Sequence, residues 1–581
     1  MKGGLRRGLL ALSLLMSVVS GHAETAWRFE LAPASLKPEI EAAVKPWRAT
    51  DEKDHDRPLH SDEDIAIDAV AAVFETLKAA GYYEPRVDLR REDKRWLLSV
   101  DAGEPVRLRS LVTDWQGGIG DDERFRPPDF PMKEGDILHQ GDYEDFKQQV
   151  ADLALERGYF DARWITHDIA IDLRERRADI TMRYDSGPRY RFGQVRFLDN
   201  KGQPLTGLDT RWLDSMTPFR PGDVLSSRKL FQLQKNLLES RYFADVHVSL
   251  LRDQTEGLVV PVEVRADNRK PNKMSVGLGY ATDVGPRLTL EWQRHLLNER
   301  GHGVEASTEL SAVRQQGEIK YRIPLTHPVE DTLQFVLGAQ RDDIDDTITR
   351  QLALAVQRVI QPQRGWQVTY GARVSDERYE RDSGEKGAQL LVVPGVSFTR
   401  LSSRGGLDPV SGTRQFYQIE GTHPALLSDA EYVLLRTGLR WLDTFAGRHM
   451  LLARADAGAI LSPDFDQVPP SVRFYAGGDN SVRGYDYRSL SPRDSNGDTV
   501  GGQYLLAGSL EYNWRWRPTW RPAVFIDAGN AFSTRWQPLE LGAGVGIRWI
   551  SPVGPVRLDV AKAFTEPGKP IRLHITLGAP L

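Results

Sequence analysis

The chain contains no cysteine among its 581 residues and only 7 methionines. Without thiols it can form neither a disulfide nor a thiolate metal site, and an oxidising compartment poses no risk of mispairing. Beyond Val19, no apolar run approaches the roughly 18 residues that a membrane-spanning helix requires. The net charge of −5 is small for this length, which argues against the basic footprint of a nucleic-acid-binding protein.

The first residues have the pattern of a secretory signal peptide. Lys2 and Arg6 supply positive charge, residues 9–19 are apolar, and a small residue, Ala23, ends the segment. The apolar run is too short to anchor the chain across about 30 Å of hydrocarbon. We therefore expect residues 1–23 to be a signal peptide that is cleaved after Ala23.

A repeated unit follows the predicted signal peptide. Amphipathic helical patterns end three times on a matching phrase, at residues 77–83, 155–160 and 238–243. Gly81 and Gly158 stand where a helix favours a left-handed C-cap residue, whereas the third copy has Arg241 at that position. The shared phrase indicates copies of one unit rather than three unrelated folds.

Strand patterns surround the helical segments of each repeat. Two alternating strands follow each phrase, and a strand also precedes the helices, which predicts a β-α-α-β-β unit of about 80 residues. We expect three α+β domains over residues 24–103, 104–187 and 188–266. Short sheets with exposed edges are suited to binding an extended peptide by strand addition.

From residue 267 to residue 581 only strand and turn patterns remain. Near the end, for example, aliphatic side chains alternate with Arg572, His574 and Thr576. The same alternation places three glycines and Arg548 on the inner face over residues 541–549, and Asp559 on the inner face over residues 556–561. A soluble barrel places its aliphatic side chains inside, whereas this pattern favours a polar lumen and a lipid-facing exterior. About sixteen such segments are present, which predicts a 16-stranded antiparallel transmembrane barrel. A soluble β-sandwich or propeller is the alternative, and the signal peptide and charged face disfavour it.

One long segment between two predicted strands, residues 461–501, is rich in glycine and holds the turn Val482–Tyr485. Downstream, Glu511 and Asp527 occupy inward positions of predicted strands. A buried guanidinium needs such partners, because its desolvation costs several kcal/mol unless it is paired. Two carboxylates could meet the donors of Arg483. Three separate charges in a wet lumen explain the spacing equally well.

Four stretches, in a fixed order, carry a family resemblance: residues 474–485, 509–512, 525–529 and 542–559. They resemble the bacterial surface-antigen barrel family, the superfamily of outer-membrane protein insertases and two-partner secretion transporters. The resemblance covers nearly the whole chain after the signal peptide. It implies that the repeats are periplasmic POTRA domains and that the long loop folds back into the lumen of a barrel in the cell outer membrane.

The resemblance also implies two sites. Arg483 matches the family's loop arginine and Asp527 its strand aspartate, while Glu511 matches a lumen glutamate less closely. The residues expected at this lumen lock are Val482, Arg483, Gly484, Tyr485, Glu511, Asp527 and Gly529. In the family, the first and last strands pair weakly and form a lateral gate. The residues expected at this gate are Val276, Gly277, Leu278, Leu573, Ile575 and Gly578.

Three repeats before the barrel most resemble the outer-membrane subunit of the translocation and assembly module. This implies insertion or assembly of outer-membrane proteins such as autotransporters, an inner-membrane-anchored TamB-like partner and contact with outer-membrane lipid. Phospholipid transport is a second cargo that the sequence leaves open. The alternative is a two-partner secretion pore for a dedicated passenger. We expect no enzyme activity, no cofactor and no metal, because no nucleophile–base set or metal-ligand spacing is present.

Overall fold

The computed structural model describes residues 27–47, 62–92, 95–120, 125–344, 347–362, 365–406, 408–495, 497–533, 536–551 and 554–577. The expected signal peptide and Gly578 of the expected gate lie outside these residues. No helix in these ranges is long and apolar enough to cross a membrane. The chain divides into two compact units, of which the first contains the first two of three small sheets and the second contains a closed barrel. Strands of the third sheet are shared between the units.

The first sheet contains the elements that the repeat predicts. In chain order they are β1 (Trp27–Ala32), α1 (Lys37–Val44), α2 (Asp62–Ala79), β2 (Arg86–Glu92) and β3 (Arg95–Asp101). The spatial order is β1-β3-β2, with β1 parallel and β2 antiparallel to β3. One face of the sheet and the two helices enclose a core that includes Ile40, Val73, Leu77 and Leu98.

The second sheet departs from the predicted unit by one helix. Its elements are β4 (Arg107–Gln116), α3 (Gln140–Glu156), β5 (Arg163–Asp172) and β6 (Arg177–Asp185), in the order β4-β6-β5. Where a first helix was expected, the residues that the structure describes contain only a 3-10 turn over Gly117–Ile119. Three glycines between positions 117 and 120 weaken an α-helix there, since glycine costs about 1 kcal/mol relative to alanine.

The third sheet has both helices. Its elements are β7 (Arg191–Leu198), α4 (Thr210–Met216), α5 (Ser227–Glu239), β8 (Phe243–Leu250) and β9 (Val259–Asn268), in the order β7-β9-β8. The short helix α4 begins after Asp209, whose side chain accepts a hydrogen bond from the backbone N–H of Arg211. Such a cap satisfies one of the free N–H groups at a helix start.

The repeated phrase ends each helix in the left-handed conformation that the sequence predicted. Gly81 and Gly158 both have φ of 91°, and Arg241 has φ of 63°. The carbonyl groups of the first two glycines accept hydrogen bonds from the start of the next repeat. The N–H of Val106 donates to the carbonyl of Gly81, and the N–H of Tyr190 donates to the carbonyl of Gly158, both at 2.9 Å. In the third copy, the hydroxyl of Tyr242 donates to the carbonyl of Gly301 at 2.8 Å.

Sixteen strands close into the predicted antiparallel barrel, each paired with its neighbour in sequence and the first with the last. They are β10 (Lys273–Ala281), β11 (Gly285–Arg294), β12 (Gly303–Ser311), β13 (Arg314–His327), β14 (Asp331–Ile344), β15 (Thr347–Ile360), β16 (Gln367–Arg381), β17 (Lys386–Arg404), β18 (Ser411–Thr422), β19 (Tyr432–Phe445), β20 (His449–Leu461), β21 (Tyr504–Trp514), β22 (Trp520–Phe532), β23 (Glu540–Ser551), β24 (Gly554–Ala563) and β25 (Ile571–Leu577). Pairing between neighbouring strands satisfies backbone groups that would cost several kcal/mol each if they were left unpaired in the hydrocarbon.

The glycine-rich face of β23 points into the lumen, as the alternation predicted. A Cβ atom at Gly542 would lie 2.0 Å from the carbonyl oxygen of Arg483, and one at Gly546 would lie 1.8 Å from a carboxylate oxygen of Asp559. On the opposite face, the side chain of Val545 is 59% exposed and meets lipid. The absence of side chains on the inner face therefore makes room for polar groups inside the barrel.

The contact between successive repeats can be tested with two glycines of equal conformation. Gly158 and Gly222 both have φ of 91°, but only at Gly158 would a Cβ meet backbone, at 2.7 Å from the carbonyl oxygen of Leu225. Gly222→Ala should cost about 1 kcal/mol, the penalty of a left-handed alanine. Gly158→Ala should cost roughly 2–3 kcal/mol, because backbone must also move. Urea unfolding followed by helical circular dichroism measures both; equal midpoints would contradict the docking role of Gly158.

Candidate functional site: the lumen loop and the barrel seam

The segment between β20 and β21 folds back into the barrel, as the family resemblance implied. Backbone hydrogen bonds join Phe474 and Gly502 in both directions, at 3.0 and 2.7 Å, and tie the two ends of the loop together. At its tip, Val482 and Tyr485 are fully buried. The loop therefore presents the Val482–Tyr485 turn to the inner wall of the barrel.

Arg483 makes the contacts on which the loop depends. Its Nε and Nη2 atoms donate to the two carboxylate oxygens of Asp527 at 2.8 and 2.9 Å, and its backbone N–H also donates to Asp527 at 3.0 Å. Its Nη1 atom donates to Glu511 at 2.7 Å. All three side chains are buried. The structure therefore brings together the arginine and both carboxylates, in place of three separate charges in a wet lumen.

Two further charged residues complete the cluster. Asp559 accepts a hydrogen bond from Nη1 of Arg483 at 3.1 Å. Arg548 donates to Glu511 through Nε at 3.0 Å and Nη2 at 2.8 Å, and it is also ion-paired with Asp559. Two guanidinium groups are thus shared among three carboxylates in charge-assisted hydrogen bonds, the strong class of protein hydrogen bonds.

Sequence reasoning placed Arg548 and Asp559 on the inner faces of their strands but did not assign them to the lock. The register explains how they reach it. Asp559 lies opposite Gly546 on the neighbouring strand, so the guanidinium of Arg548 and the carboxylate share the space above a residue without a side chain. The signal available in the sequence was the inward alternation of charge and glycine in β23 and β24.

The residues around Arg483 are small or aromatic for a physical reason. The ring of Phe525 lies under its guanidinium, with 3.4 Å between Cζ and the ring centroid, which is a cation–π contact. Gly484 has φ of 98°, and a Cβ there would lie 2.9 Å from the backbone nitrogen of Ala563. A Cβ at Gly529 would lie 2.9 Å from the side chain of Val482. These glycines let the turn approach the wall closely.

The same loop also holds the last strand. From β25, Arg572 donates to both carboxylate oxygens of Asp486 at 2.7 and 2.6 Å and to the carbonyl of Gly484 at 2.6 Å. The N–H of Gly484 in turn donates to Nε2 of His574 at 2.9 Å. The inward side chains of β25 are therefore fastened to the lumen loop.

In contrast, the seam between the first and last strands has little backbone pairing. Within the residues described up to Leu577, β10 and β25 share one register pair, Ala281 with Thr576, and the N–H of Thr282 donates to the carbonyl of Ile575 at 3.2 Å. The strands on either side are much better paired, with nine register pairs between β10 and β11 and seven between β24 and β25.

The residues expected at the gate lie on these two strands, except Gly578, which is outside the described residues. Val276 and Leu278 are 71% and 82% exposed, more than the lipid-facing Val545. The two strands are antiparallel and Ala281 pairs with Thr576, so a residue before Ala281 can only lie opposite a residue after Thr576. Val276 precedes Ala281 and Leu573 precedes Thr576, and the two are therefore not opposite each other. Gly277 is paired with Thr289 in the first hairpin rather than with β25.

The ion cluster predicts different stability for two arginine variants of the same loop. Arg483→Ala should weaken the barrel by about 3–5 kcal/mol, because buried carboxylates lose their partner. Arg493 is exposed and donates within its own turn, to the carbonyl of Gly497 at 2.7 Å. Arg493→Ala should therefore stay within about 0.5 kcal/mol of the parent chain. The temperature at which the folded band converts to the unfolded band on unboiled gels measures both; equal temperatures would contradict the lock.

Comparison with known proteins supports an outer-membrane barrel. Residues 297–579 match the family model of the Omp85 superfamily domain. The outer membrane protein assembly factor BamA of Nitratidesulfovibrio vulgaris is 26% identical over 356 residues, which cover 58% of this chain and 44% of that protein. The same factor of Neorickettsia risticii is 21% identical over 429 residues, covering 67% of this chain and 55% of that protein. The chain spans about half the length of these curated relatives.

A solved structure shares the fold. BamA from Haemophilus ducreyi lacking POTRA domains 1-3 superposes with a TM-score of 0.63 and 16% identity, covering 77% of this chain and 95% of that chain. At this identity the likeness concerns architecture alone. Together with the closed barrel, the matches support an outer-membrane β-barrel protein whose residues 297–579 are similar to the Omp85 superfamily domain, with periplasmic α+β domains that resemble POTRA domains.

Proposed function

We propose that this protein is an assembly factor of the TamA type, the outer-membrane subunit of a translocation and assembly module. Its substrates are unfolded outer-membrane proteins such as autotransporters, which leave the barrel sideways into the outer-membrane lipid between β10 and β25. The observation that carries this proposal is the single register pair across that seam among the residues described up to Leu577. Backbone pairing is what normally seals a barrel against lipid, so a seam with so little of it needs the least work to open.

The exposure of the outward side chains of β10 also supports opening of the barrel toward the lipid. The outward side chains of β10, including Met274, are exposed to a greater extent than most lipid-facing side chains of the barrel. An opened β10 would offer unpaired N–H and C=O groups to an incoming strand, and strand addition satisfies these groups without new side-chain recognition. The lumen loop keeps β25 in place meanwhile, through Arg572 and His574.

The periplasmic sheets supply docking edges. In the order β4-β6-β5 the strand β5 lies at an edge, and its side chain Ile165 is 46% exposed. An exposed edge of this kind binds extended chains through backbone hydrogen bonds. We propose that such edges receive both nascent substrate strands and an inner-membrane-anchored TamB-like partner that crosses the periplasm. A bridge of this kind also suits phospholipid transport as a second activity.

Locking the seam should stop function without unfolding the protein. Ala281→Cys with Thr576→Cys introduces the only thiols of the chain, at the register pair that the described residues of the seam form. The adjacent residues Thr282 and Ile575 form the hydrogen-bonded pair, so Ala281 and Thr576 are the closer, non-hydrogen-bonded pair, with Cα atoms about 4.5 Å apart. That distance lies within disulfide reach. We expect assembly of a dependent outer-membrane protein to fail when the variant is oxidised and to recover on reduction.

A second disulfide provides the control. Gly277→Cys with Thr289→Cys joins β10 to β11, where a Cβ at position 277 lies 3.5 Å from that of Thr289. This bond fastens strands that are already paired and leaves the seam free, so activity should not depend on oxidation. Full activity of the oxidised Ala281→Cys/Thr576→Cys protein would refute lateral opening and favour passage of a secreted passenger through the lumen.

The partner proposal has its own test. The full chain, extracted in mild detergent, should retain an inner-membrane-anchored protein with a large periplasmic part when it is purified by affinity from envelope extract. Removal of residues 24–266 should abolish this retention, because the edges of the periplasmic sheets are then missing. Retention that persists on the barrel alone would contradict docking on the periplasmic sheets.

A further inference from the structure

Three potential metal ligands meet at the seam, each from a different part of the barrel. Asp283 lies in the turn between β10 and β11, Asp479 in the lumen loop and His574 in β25. One ligand atom from each lies within 4.8 Å of the others. Nδ1 of His574 is 2.5 Å from Oδ1 of Asp479, and the N–H of Asp479 donates to Oδ2 of Asp283 at 2.8 Å.

This cluster lacks positive charge. Asp479 is more than nine-tenths buried, and its Oδ2 atom has no hydrogen-bond partner among the described residues. Among the residues that the structure describes, neither Asp479 nor the half-buried Asp283 forms an ion pair with a lysine or arginine. The imidazole of His574 is the only basic group there that contacts Asp479. The carboxylates of the lumen lock, in contrast, are each paired with arginine. Buried carboxylates without a cation cost several kcal/mol each.

We propose that Asp283, Asp479 and His574 bind a divalent transition-metal ion. Imidazole nitrogen and carboxylate oxygen are ligands of Zn²⁺, at about 2.0–2.2 Å, and a tetrahedral ion with three such ligands keeps a fourth position for water. The ion supplies the charge that the two carboxylates lack, and Oδ2 of Asp479 gains a partner. Sequence reasoning expected no metal because the ligands stand 196 and 95 residues apart, so no local spacing marks them.

Ligation changes one hydrogen bond of the loop. Nε2 of His574 accepts from Gly484, so its proton belongs on Nδ1, facing Asp479. For Nδ1 to bind the ion, this proton must move to Nε2, and the hydrogen bond from Gly484 is exchanged for a metal bond. Metal occupancy is thereby coupled to the turn that carries Arg483.

The ion would join the first hairpin, the loop and the last strand at the place where backbone pairing is weakest. A metal bond across the seam therefore favours the closed barrel. This consequence for opening rests on the proposed function, whereas binding of the ion does not. A failed assembly assay would leave the metal site standing, and a failed metal titration would leave the lateral gate standing.

The experiment is a calorimetric titration of the full chain with zinc. The protein is in detergent and carries no affinity tag. Wild-type protein should have one tight site for Zn²⁺, with every further zinc ion bound more weakly. Saturating zinc should raise the temperature at which the folded band is lost on a gel of unboiled protein. Asp283→Asn should lower the affinity at least about tenfold, since even residues behind metal ligands typically cost that much. Asp283 is suited to this test because it lies in a turn and outside the arginine cluster.

Asp343→Asn is the matched control. Asp343 is a partly exposed aspartate near the end of β14, with its Oδ2 atom 3.2 Å from Nη2 of Arg341, and its replacement should leave the zinc affinity unchanged. Equal affinity of wild type and Asp283→Asn would overturn the proposal, as would the absence of a tight site in wild type. A folded band that resists heat better at low pH, with no effect of zinc, would also overturn it by showing that protons neutralise the cluster.

Discussion

The guanidinium of Arg483 connects the lumen loop to three neighbouring parts of the barrel wall. Its partners Glu511, Asp527 and Asp559 come from β21, β22 and β24, and all three are buried. Each of these charges is unfavourable alone in such surroundings, so loop and wall depend on each other. The inward glycines of β23 and the ring of Phe525 serve the same cluster: the glycines leave room for the loop and for Arg548, and the ring lies under the guanidinium of Arg483.

The loop also spans the distance from this cluster to the seam. Asp479 and Arg483 are four residues apart, yet the first contacts Asp283 of the first hairpin and the second contacts the wall. Just after Arg483 in the loop, Gly484 donates a hydrogen bond to His574 of the last strand, and Asp486 accepts hydrogen bonds from Arg572 of the same strand. On its seam side, the last strand is thus held mainly by side chains on its inner face, whereas on the other side seven register pairs join it to β24. This arrangement lets a barrel stay closed in lipid while the backbone ladder between its first and last strands stays short.

The periplasmic repeats solve a different problem, that of joining small sheets in series. Each helix ends in the left-handed conformation, and the carbonyl that this turn exposes accepts a hydrogen bond from the start of the next repeat in the first two copies. In the third copy, Arg241 adopts the same conformation at a cost of about 1 kcal/mol for an L-residue. The adjoining Tyr242 is buried and reaches Gly301 of the barrel region, so local strain is offset by burial of an aromatic side chain.

What the sequence determined by itself was periodic or local. Alternation of aliphatic side chains with charge and glycine predicts the barrel and its inward face, and the glycine at the end of the first two helical phrases predicts their C-caps. Both predictions are possible because side-chain period and backbone sterics depend on near neighbours. The three glycines at the place of the missing helix in the second repeat are also a local signal, but the prediction followed the repeat pattern instead.

The partnership of Arg483 with Glu511 and Asp527 could be proposed from family resemblance. The participation of Arg548 and Asp559 in the same cluster could not. That participation, the register of Ala281 with Thr576 and the meeting of Asp283, Asp479 and His574 depend on how strands far apart in sequence align when the barrel closes. Only the tertiary structure decides that alignment, since a shift in strand register leaves the composition of every strand unchanged.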